Sequence, residues 1–481
     1  MHRKRWIAGY AALGIVALGG CAPTIRAPGP ADVKAPAWAK SVQQLDGVQS
    51  LPTGAWPQQD WWTGLASAGL DQLMVRALSP ANPRLAEAID VVHWAASVSA
   101  WRAAALGPQL FGQAVVTPLQ FSGNSPLGAL GLGNTLYDSG DVGLGFTQVL
   151  DFWGKYADRL KAALGEQRAA EARLADTRRL LAAAVVNAYL RWAEAERQLA
   201  SLRRLQHLYQ QQQALLRIQR RLGLGTDLPI AELSLQLQQN TVRQARWQQR
   251  AAAARFAVAE LAAIAPDALP LRPVVPASAG IPTLPQHLSL GLLAHRPDVQ
   301  AARALALASV EQTKTARAAF YPDISFSALL DMNSAHLATL LNPASFAYRF
   351  GPALQLPIFT SGALTSRFRG AEAQQAQAVA IYQKSILQSV QQVLTALSGY
   401  QLSRQAWQAE AAGTGATRQQ EKLTTAAQAF GLSDRTAMLR QQIALVHQQM
   451  AQRRARYAAL QAWVQLETAL GGGYDQSRQH P

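Results

Sequence analysis

The chain has 481 residues, a formal net charge of +16 and 15% charged residues, against roughly 25% in soluble domains. Cys21 is its single cysteine, which excludes an internal disulfide framework and any metal or redox motif built from cysteine pairs. A basic surface attracts phosphate, but the arginines are spread among Gln and Glu along helical stretches, as on a solvated coiled coil. We therefore predict no nucleic-acid partner.

Residues 1–20 have the pattern of a bacterial signal peptide. Basic residues 3–5 precede an apolar run, 6–18, that is too short for a membrane-spanning helix. The run ends in Leu-Gly-Gly-Cys, which resembles the lipoprotein box, where the cysteine is lipidated; the alternative is a chance cysteine beside an ordinary signal peptide. Ala22 follows, where lipoproteins kept at the inner membrane carry Asp. We predict a covalent lipid on Cys21, an outer-membrane location and no other cofactor.

Two proline-bounded helices indicate that the chain is duplicated. Pro83 opens a run with helical spacing that Pro108 closes, and Pro297 opens a similar run that Pro322 closes, at one offset of about 214 positions. The predicted segments are the signal peptide (1–20), a lipid-anchored extended tether (21–59), the first repeat (60–265), a Pro-rich linker (266–284), the second repeat (285–473) and a C-terminal tail (474–481).

Each repeat is predicted to contain two strands after its first helix. Apolar and polar side chains alternate along 324–330, and the stretches 142–150 and 346–356 show the same period of two. Loops rich in Gly, Asn, Pro and Ser join the two strands of each pair. The aromatic residues of the last strand either belong to an interfacial aromatic girdle or simply pack along the strand: Phe346, Tyr348 and Phe350.

Unusually long helices follow each strand pair. No proline occurs between Trp153 and Leu222, a length that would make a helix of roughly 100 Å. Apolar residues there step by four and three, the coiled-coil period, at Leu181, Val185, Ala188, Trp192, Ala195, Leu199 and Leu202. Gly223 and Gly431 interrupt the long helices, and an Asp follows each within four residues, which is helix-capping chemistry. Both breaks therefore predict tight helical hairpins.

The four strands predict that the chain either shares a barrel with copies of itself or stays out of the membrane. A membrane barrel needs at least about eight strands, and open sheet edges in lipid would leave backbone groups unpaired. Three copies would supply twelve strands and close the edges. On the first alternative, the predicted fold class is mainly α with a membrane β-barrel, built from a duplicated unit of coiled-coil hairpins and four strands per chain.

Several motifs are distinctive in combination. They are Leu292-Leu293-Ala294-His295-Arg296-Pro297-Asp298-Val299, Phe320-Tyr321-Pro322, Gly351-Pro352-Ala353-Leu354 with Leu356-Pro357-Ile358-Phe359 and Gly362, and Ala469-Leu470-Gly471-Gly472-Gly473-Tyr474. With them the chain resembles the outer-membrane factor family, the TolC-like exit ducts of bacterial efflux systems, in its lipoprotein branch. The resemblance implies a homotrimer with a twelve-strand barrel in outer-membrane lipid and an α-helical tunnel across the periplasm. It also implies a passive duct whose partners are a periplasmic adaptor and an inner-membrane pump of the major-facilitator or resistance-nodulation-division type.

The resemblance also implies functional residues at the two hairpin tips. Those predicted to dock the adaptor are Gly223, Leu224, Gly431 and Leu432. Well-studied relatives carry an Asp about nine positions after the second tip glycine and an Arg three positions further, where this chain has Arg440 and Ile443. The usual acidic ring is therefore in doubt, and the candidates for a periplasmic gate are Asp434, Arg435 and Arg440. Arg440 either approaches the pore axis or pairs with a carboxylate such as Asp227 or Glu232 on the other hairpin.

Enzymatic chemistry has little support, since HExxH, phosphate-binding glycine loops and CxxC pairs do not occur. Five histidines lie far apart without metal-ligand spacing: His207, His287, His295, His336 and His447. Four tryptophans are expected in a packed core rather than a ligand cage: Trp61, Trp62, Trp94 and Trp101. The alternatives to a drug-efflux duct are an outer-membrane conduit for type I protein secretion and a periplasmic coiled-coil scaffold without a pore.

Overall fold

A computed structural model describes residues 60–269, 272–275 and 296–474. Cys21 and the tether lie outside the described residues, as do His287 and His295. Among the residues that are described, no helix combines the length and the apolar character needed to cross a membrane.

The two repeats contain the same elements in the same order. After a 3₁₀ turn (Trp61–Leu65) and α1 (Ala68–Ala77), the first repeat consists of α2 (Pro83–Ala104), β1 (Gln109–Gln120), β2 (Leu136–Val149), α3 (Lys155–Arg221) and α4 (Leu228–Leu261). The second consists of α5 (Pro297–Ala318), β3 (Asp323–Ser334), β4 (Phe346–Gln355), α6 (Ala363–Ala429) and α7 (Arg435–Ala469). Helices α2 and α5 both have 22 residues, and α3 and α6 both have 67. The predicted duplication and the long hairpins are confirmed.

The strands form one antiparallel sheet in the order β1-β2-β3-β4. Pairing of β2 with β3, for example Leu144 with Leu330, joins the first repeat to the second. Strands β1 and β4 are the edges, so each leaves one row of backbone N–H and C=O groups unpaired in the described chain.

The described chain divides into two compact units. The first comprises Val91–Ala170 and Ala302–Tyr382, which contain the whole sheet, and the second comprises the described parts of 60–90, 171–301 and 383–474. In the second unit the predicted coiled-coil positions of α3, from Leu181 to Leu202, are all buried. They pack against α7, whose Trp463 is also fully buried. Apolar side chains at this spacing form one continuous stripe, and its burial stabilises the long hairpins.

The prediction that all four tryptophans lie in a core is wrong for two of them. Trp61 is buried and packs edge-to-face on Trp463, with ring centroids 5.2 Å apart. Trp94 and Trp101 on α2 are instead 68% and 63% exposed. They are seven positions apart and share one side of the helix, whereas the side carrying Ala95 is buried.

Candidate functional site

Both hairpin tips have the same backbone geometry. Gly223 and Gly431 have φ of +76° and +73°, the left-handed conformation that favours glycine. The N–H of Leu224 donates to the carbonyl of Gln219 at 2.9 Å, and Gly223 donates to Arg220 at 3.0 Å. Gly431 and Leu432 repeat this pattern at the second tip. This is the Schellman arrangement, which satisfies the last carbonyls of α3 and α6 and turns the chain sharply.

The tips present apolar side chains to solvent. Leu224 is 76% exposed and Leu432 is 82% exposed. Neighbouring Leu222 and Phe430 are exposed as well. Exposed apolar clusters of this kind mark interaction surfaces.

The gate candidates lie at the start of α7 and differ in their contacts. Asp434 caps the helix, because its Oδ1 accepts from the N–H of Ala437 at 2.6 Å. Arg435 and Arg440 are exposed. In the part of the chain that the structure describes, the Arg440 side chain makes no ion pair, and Asp227 pairs instead with Arg220 at 2.5 Å. Asp227, one of the two carboxylates considered as partners for Arg440, is thus engaged within its own hairpin.

The two faces of the sheet differ in chemistry. On one face an apolar row crosses three strands through Leu144, Leu330 and Tyr348, which are partners in register and exposed. Phe346 and Phe350 flank Tyr348 on this face and are exposed too. These aromatics do not pack in a core of the chain, and their exposure is typical of an aromatic girdle at a membrane interface.

The other face of the sheet carries most of its charged side chains. Gln113 Nε2 donates to Asp141 Oδ1 at 2.7 Å, across the β1–β2 pair. Asp331 is buried there, and Asn333 Nδ2 donates to its Oδ2 at 3.2 Å. An apolar face opposite a polar face is the side-chain pattern of strands that separate lipid from an aqueous interior.

The structure gives the Arg296-Pro297-Asp298 motif a structural role that sequence reasoning missed. Arg296 is only 1% exposed and donates to both carboxylate oxygens of Asp298, at 3.0 and 2.7 Å. It also donates to the carbonyl of Ala469, at 2.8 Å, and so binds the C-terminal end of α7. Burial favours the neutral carboxyl, but the hydrogen bond and charge of Arg296 prevail, and the pKa of Asp298 lies below its ordinary value. A cation at a helix C-terminus is also favoured by the helix dipole.

The histidines within the described residues form hydrogen bonds rather than a cluster. His447 Nε2 lies 3.1 Å from the Tyr209 hydroxyl, and burial, with Arg243 and Arg454 nearby, lowers its pKa. His336 Nδ1 lies 3.0 Å from Asp138 Oδ1. His207 lies 2.9 Å from the amide of Gln211. The described residues contain no group of three or more His, Cys, Asp or Glu side chains placed to hold a metal ion.

Comparisons with known proteins agree with this architecture. The family model described as "Outer membrane efflux protein" matches residues 81–263 and again residues 289–472. The chain is 29% identical to the multidrug resistance outer membrane protein MdtP of Escherichia coli strain K12, over 88% of each chain. It is 30% identical to the multidrug resistance outer membrane protein MdtQ of E. coli O6:H1, over 80% of this chain and 81% of that protein.

A solved structure shows the same fold. The Campylobacter jejuni CmeC outer membrane channel superposes with a TM-score of 0.81 and 19% sequence identity, over 95% of each chain. At that level of identity the comparison concerns the fold alone.

Proposed function

This chain belongs to the outer membrane efflux protein family, and we propose that it is the outer-membrane duct of a tripartite efflux system, through which drugs or other small toxic compounds leave the periplasm. MdtP and MdtQ are named as multidrug resistance outer membrane proteins, which supports this class of cargo. The family is one of efflux ducts rather than enzymes. The energy for transport therefore comes from another component of the system.

The observation that carries the proposal is the two-faced sheet with open edges. One face is largely apolar and exposed and the other carries most of the charged side chains of the sheet, while β1 and β4 leave their outer backbone groups unpaired in the described chain. Four strands do not close, and an unpaired edge in lipid costs several kcal/mol per group. Three chains that pair β1 of one with β4 of the next form a closed barrel of twelve strands, with the apolar face toward lipid and the polar face toward the lumen.

The hairpin tips are proposed to dock a periplasmic adaptor that links the duct to an inner-membrane pump. Gly223 and Gly431 set two turns of the same geometry, and Leu224 and Leu432 offer exposed apolar side chains beside them. Burying such leucines against a partner would contribute roughly 1.5–3 kcal/mol each before the costs of association. The proposed pump belongs to either the major-facilitator or the resistance-nodulation-division type.

The periplasmic gate is proposed to be cationic rather than acidic. Arg435 and Arg440 are exposed near the second tip, whereas Asp434 is committed to capping α7. Three copies of Arg440 around a threefold axis would therefore meet without a carboxylate from their own chain. Cys21, outside the described residues, is proposed to carry the lipid that adds a second membrane attachment.

Two measurements test the proposed function. Purified protein in a planar bilayer should give discrete conductance steps, which a scaffold without a pore would not. The gene should also restore drug resistance to a bacterial strain that lacks its own outer-membrane duct but retains the adaptor and pump. A Gly223→Val, Gly431→Val double variant, which alters both hairpin tips, serves as the matched control for the resistance assay. Absence of both conductance and restored resistance, with trimers present in the outer membrane, would refute the proposal.

A further inference from the structure

A polar concavity of about 880 Å³ lies in the first unit, where the sheet meets the helices. Helices α2, α3, α5 and α6 and the ends of β3 and β4 contribute to its lining. Its charged side chains are Arg102, Lys155, Arg159, Glu166, Asp323 and Arg367. Four cations thus face two carboxylates, and these six residues come from four different elements.

The concavity opens on the polar face of the sheet. Asp323 and Gln355, both in its lining, are partners in register at the end of the β3–β4 pair. Side chains alternate between the two faces along a strand, so Asp323 lies on the same face as Asp331. Gln355 likewise lies on the face of the sheet opposite to that of the exposed Leu354. In the proposed duct this face lines the lumen, and the following step rests on that proposed function.

One carboxylate is paired with a cation, the other accepts a hydrogen bond from a neutral amide, and three arginines form no ion pair among the described residues. Lys155 Nζ pairs with Asp323 Oδ2 at 2.5 Å, and Glu166 Oε1 accepts from Gln312 Nε2 at 2.7 Å. In the described part of the chain, Arg102, Arg159 and Arg367 form no ion pair.

Two of these arginines make cation–π contacts with aromatic side chains. The guanidinium of Arg102 lies 4.2 Å from the centroid of the Trp101 ring, and that of Arg159 lies 5.4 Å from the centroid of the Tyr156 ring. An aromatic ring attracts a cation through its quadrupole and orders it without neutralising it. The arginines are therefore held in place with their charge available to a ligand.

We propose that this concavity is a binding site for anionic solutes in transit, small molecules that carry phosphate, sulfonate or carboxylate groups. Guanidinium groups bind such oxyanions through paired N–H donors, and a concave wall with an excess of one charge sign raises the local concentration of the opposite ion. The chain would then favour anionic cargo at the wall of the duct itself. This preference is separate from any selectivity at the gate, because none of the lining residues belongs to a hairpin tip.

Binding of the trisulfonated dye pyranine tests the site. The full-length protein in non-ionic detergent at low salt should raise the fluorescence anisotropy of the dye. An Arg159→Gln, Arg367→Gln double variant should bind at least about tenfold more weakly, since a unit charge roughly 7 Å away in water changes affinity about threefold. Replacement of the same two residues by Lys keeps the charge and should restore most of the binding.

The matched control is Arg369→Gln, which removes one charge from an exposed residue of α6 that does not line the concavity. It should bind pyranine as the unaltered protein does. Equal affinity of the unaltered protein and the double variant, or an equal loss in Arg369→Gln, would overturn the assignment. Conductance in a planar bilayer is measured separately. Dye binding that depends on Arg159 and Arg367, in a protein without conductance, would support the binding site and refute the duct. Conductance without such dye binding would support the duct and refute the binding site.

Discussion

Replacing Glu467 with glutamine should stabilise the protein above neutral pH and have little effect in acid. Glu467 lies on α7 in the core of the second unit and is 5% exposed. Its Oε1 accepts a hydrogen bond from Trp463 Nε1 at 2.8 Å, but its Oε2 has no hydrogen-bond partner among the described residues. Burial disfavours the ionised form, and the bond from Trp463 only partly offsets this, so the pKa of Glu467 is raised from 4.5 to about 7.

The sign of the pH effect follows from the two pKa values. Between pH 4.5 and about 7 the unfolded chain releases the Glu467 proton while the folded protein keeps it. Stability therefore falls as the pH rises through this window and levels off above it. The full loss is about 3 kcal/mol, at 1.36 kcal/mol per unit of pKa difference. Glutamine cannot ionise, so the variant should escape this loss.

The measurement is thermal unfolding followed by circular dichroism in non-ionic detergent at pH 5 and pH 8. The unfolding entropy of a chain of this size is about 1 kcal/mol per kelvin. The Tm of the variant minus that of the unaltered protein should therefore be about 3 °C larger at pH 8 than at pH 5. Comparing the two pH values removes any constant cost of packing the amide. A Tm difference that is the same at both pH values would refute the assignment of a buried, neutral Glu467.

Three further predictions concern the anchor, the tips and the gate. Cys21→Ser should abolish labelling with radioactive palmitate yet leave protein in the outer-membrane fraction. Each buried methylene of the lipid contributes about 0.8 kcal/mol to membrane attachment. A variant that is still labelled would exclude Cys21 as the site of lipidation. Gly431→Val should cost about 1–2 kcal/mol locally, because its φ of +73° strains a β-branched residue, and should impair export while trimers still form. Arg440→Asp should shift the reversal potential in a KCl gradient toward cation selectivity, and an unshifted potential would place Arg440 away from the pore.

Many elements of the fold are determined by local sequence and could therefore be predicted from it. Pro83 and Pro297 are the first residues of α2 and α5, where a missing N–H costs nothing. Gly223 and Gly431 adopt the positive φ that the helix-end pattern predicts. These features depend on a few neighbouring residues, which is why they are readable without the structure.

The remaining features depend on contacts between distant segments. Helical spacing shows that Trp94 and Trp101 share a face but not whether anything covers that face, and they are exposed. Arg296 is buried because it reaches the carbonyl of Ala469, 173 positions along the chain. The arginines of the concavity lie on separate elements, and spacing within one element does not bring them together. Sequence patterns therefore predict the elements and their turns more completely than the sites that the elements assemble.

The two hairpins match in length but differ in how their return helices begin. Asp434 has an extended backbone and caps α7 through its carboxylate, a contact that typically contributes about 1 kcal/mol. Asp227 has a helical backbone, forms no cap, and pairs with Arg220 across the first turn. Both partners of that pair are largely exposed, so the pair contributes about 0–1 kcal/mol and leaves the first N–H groups of α4 without a side-chain acceptor. The first hairpin therefore begins its return helix less firmly, and we predict that it deforms at lower cost than the second when the proposed adaptor docks.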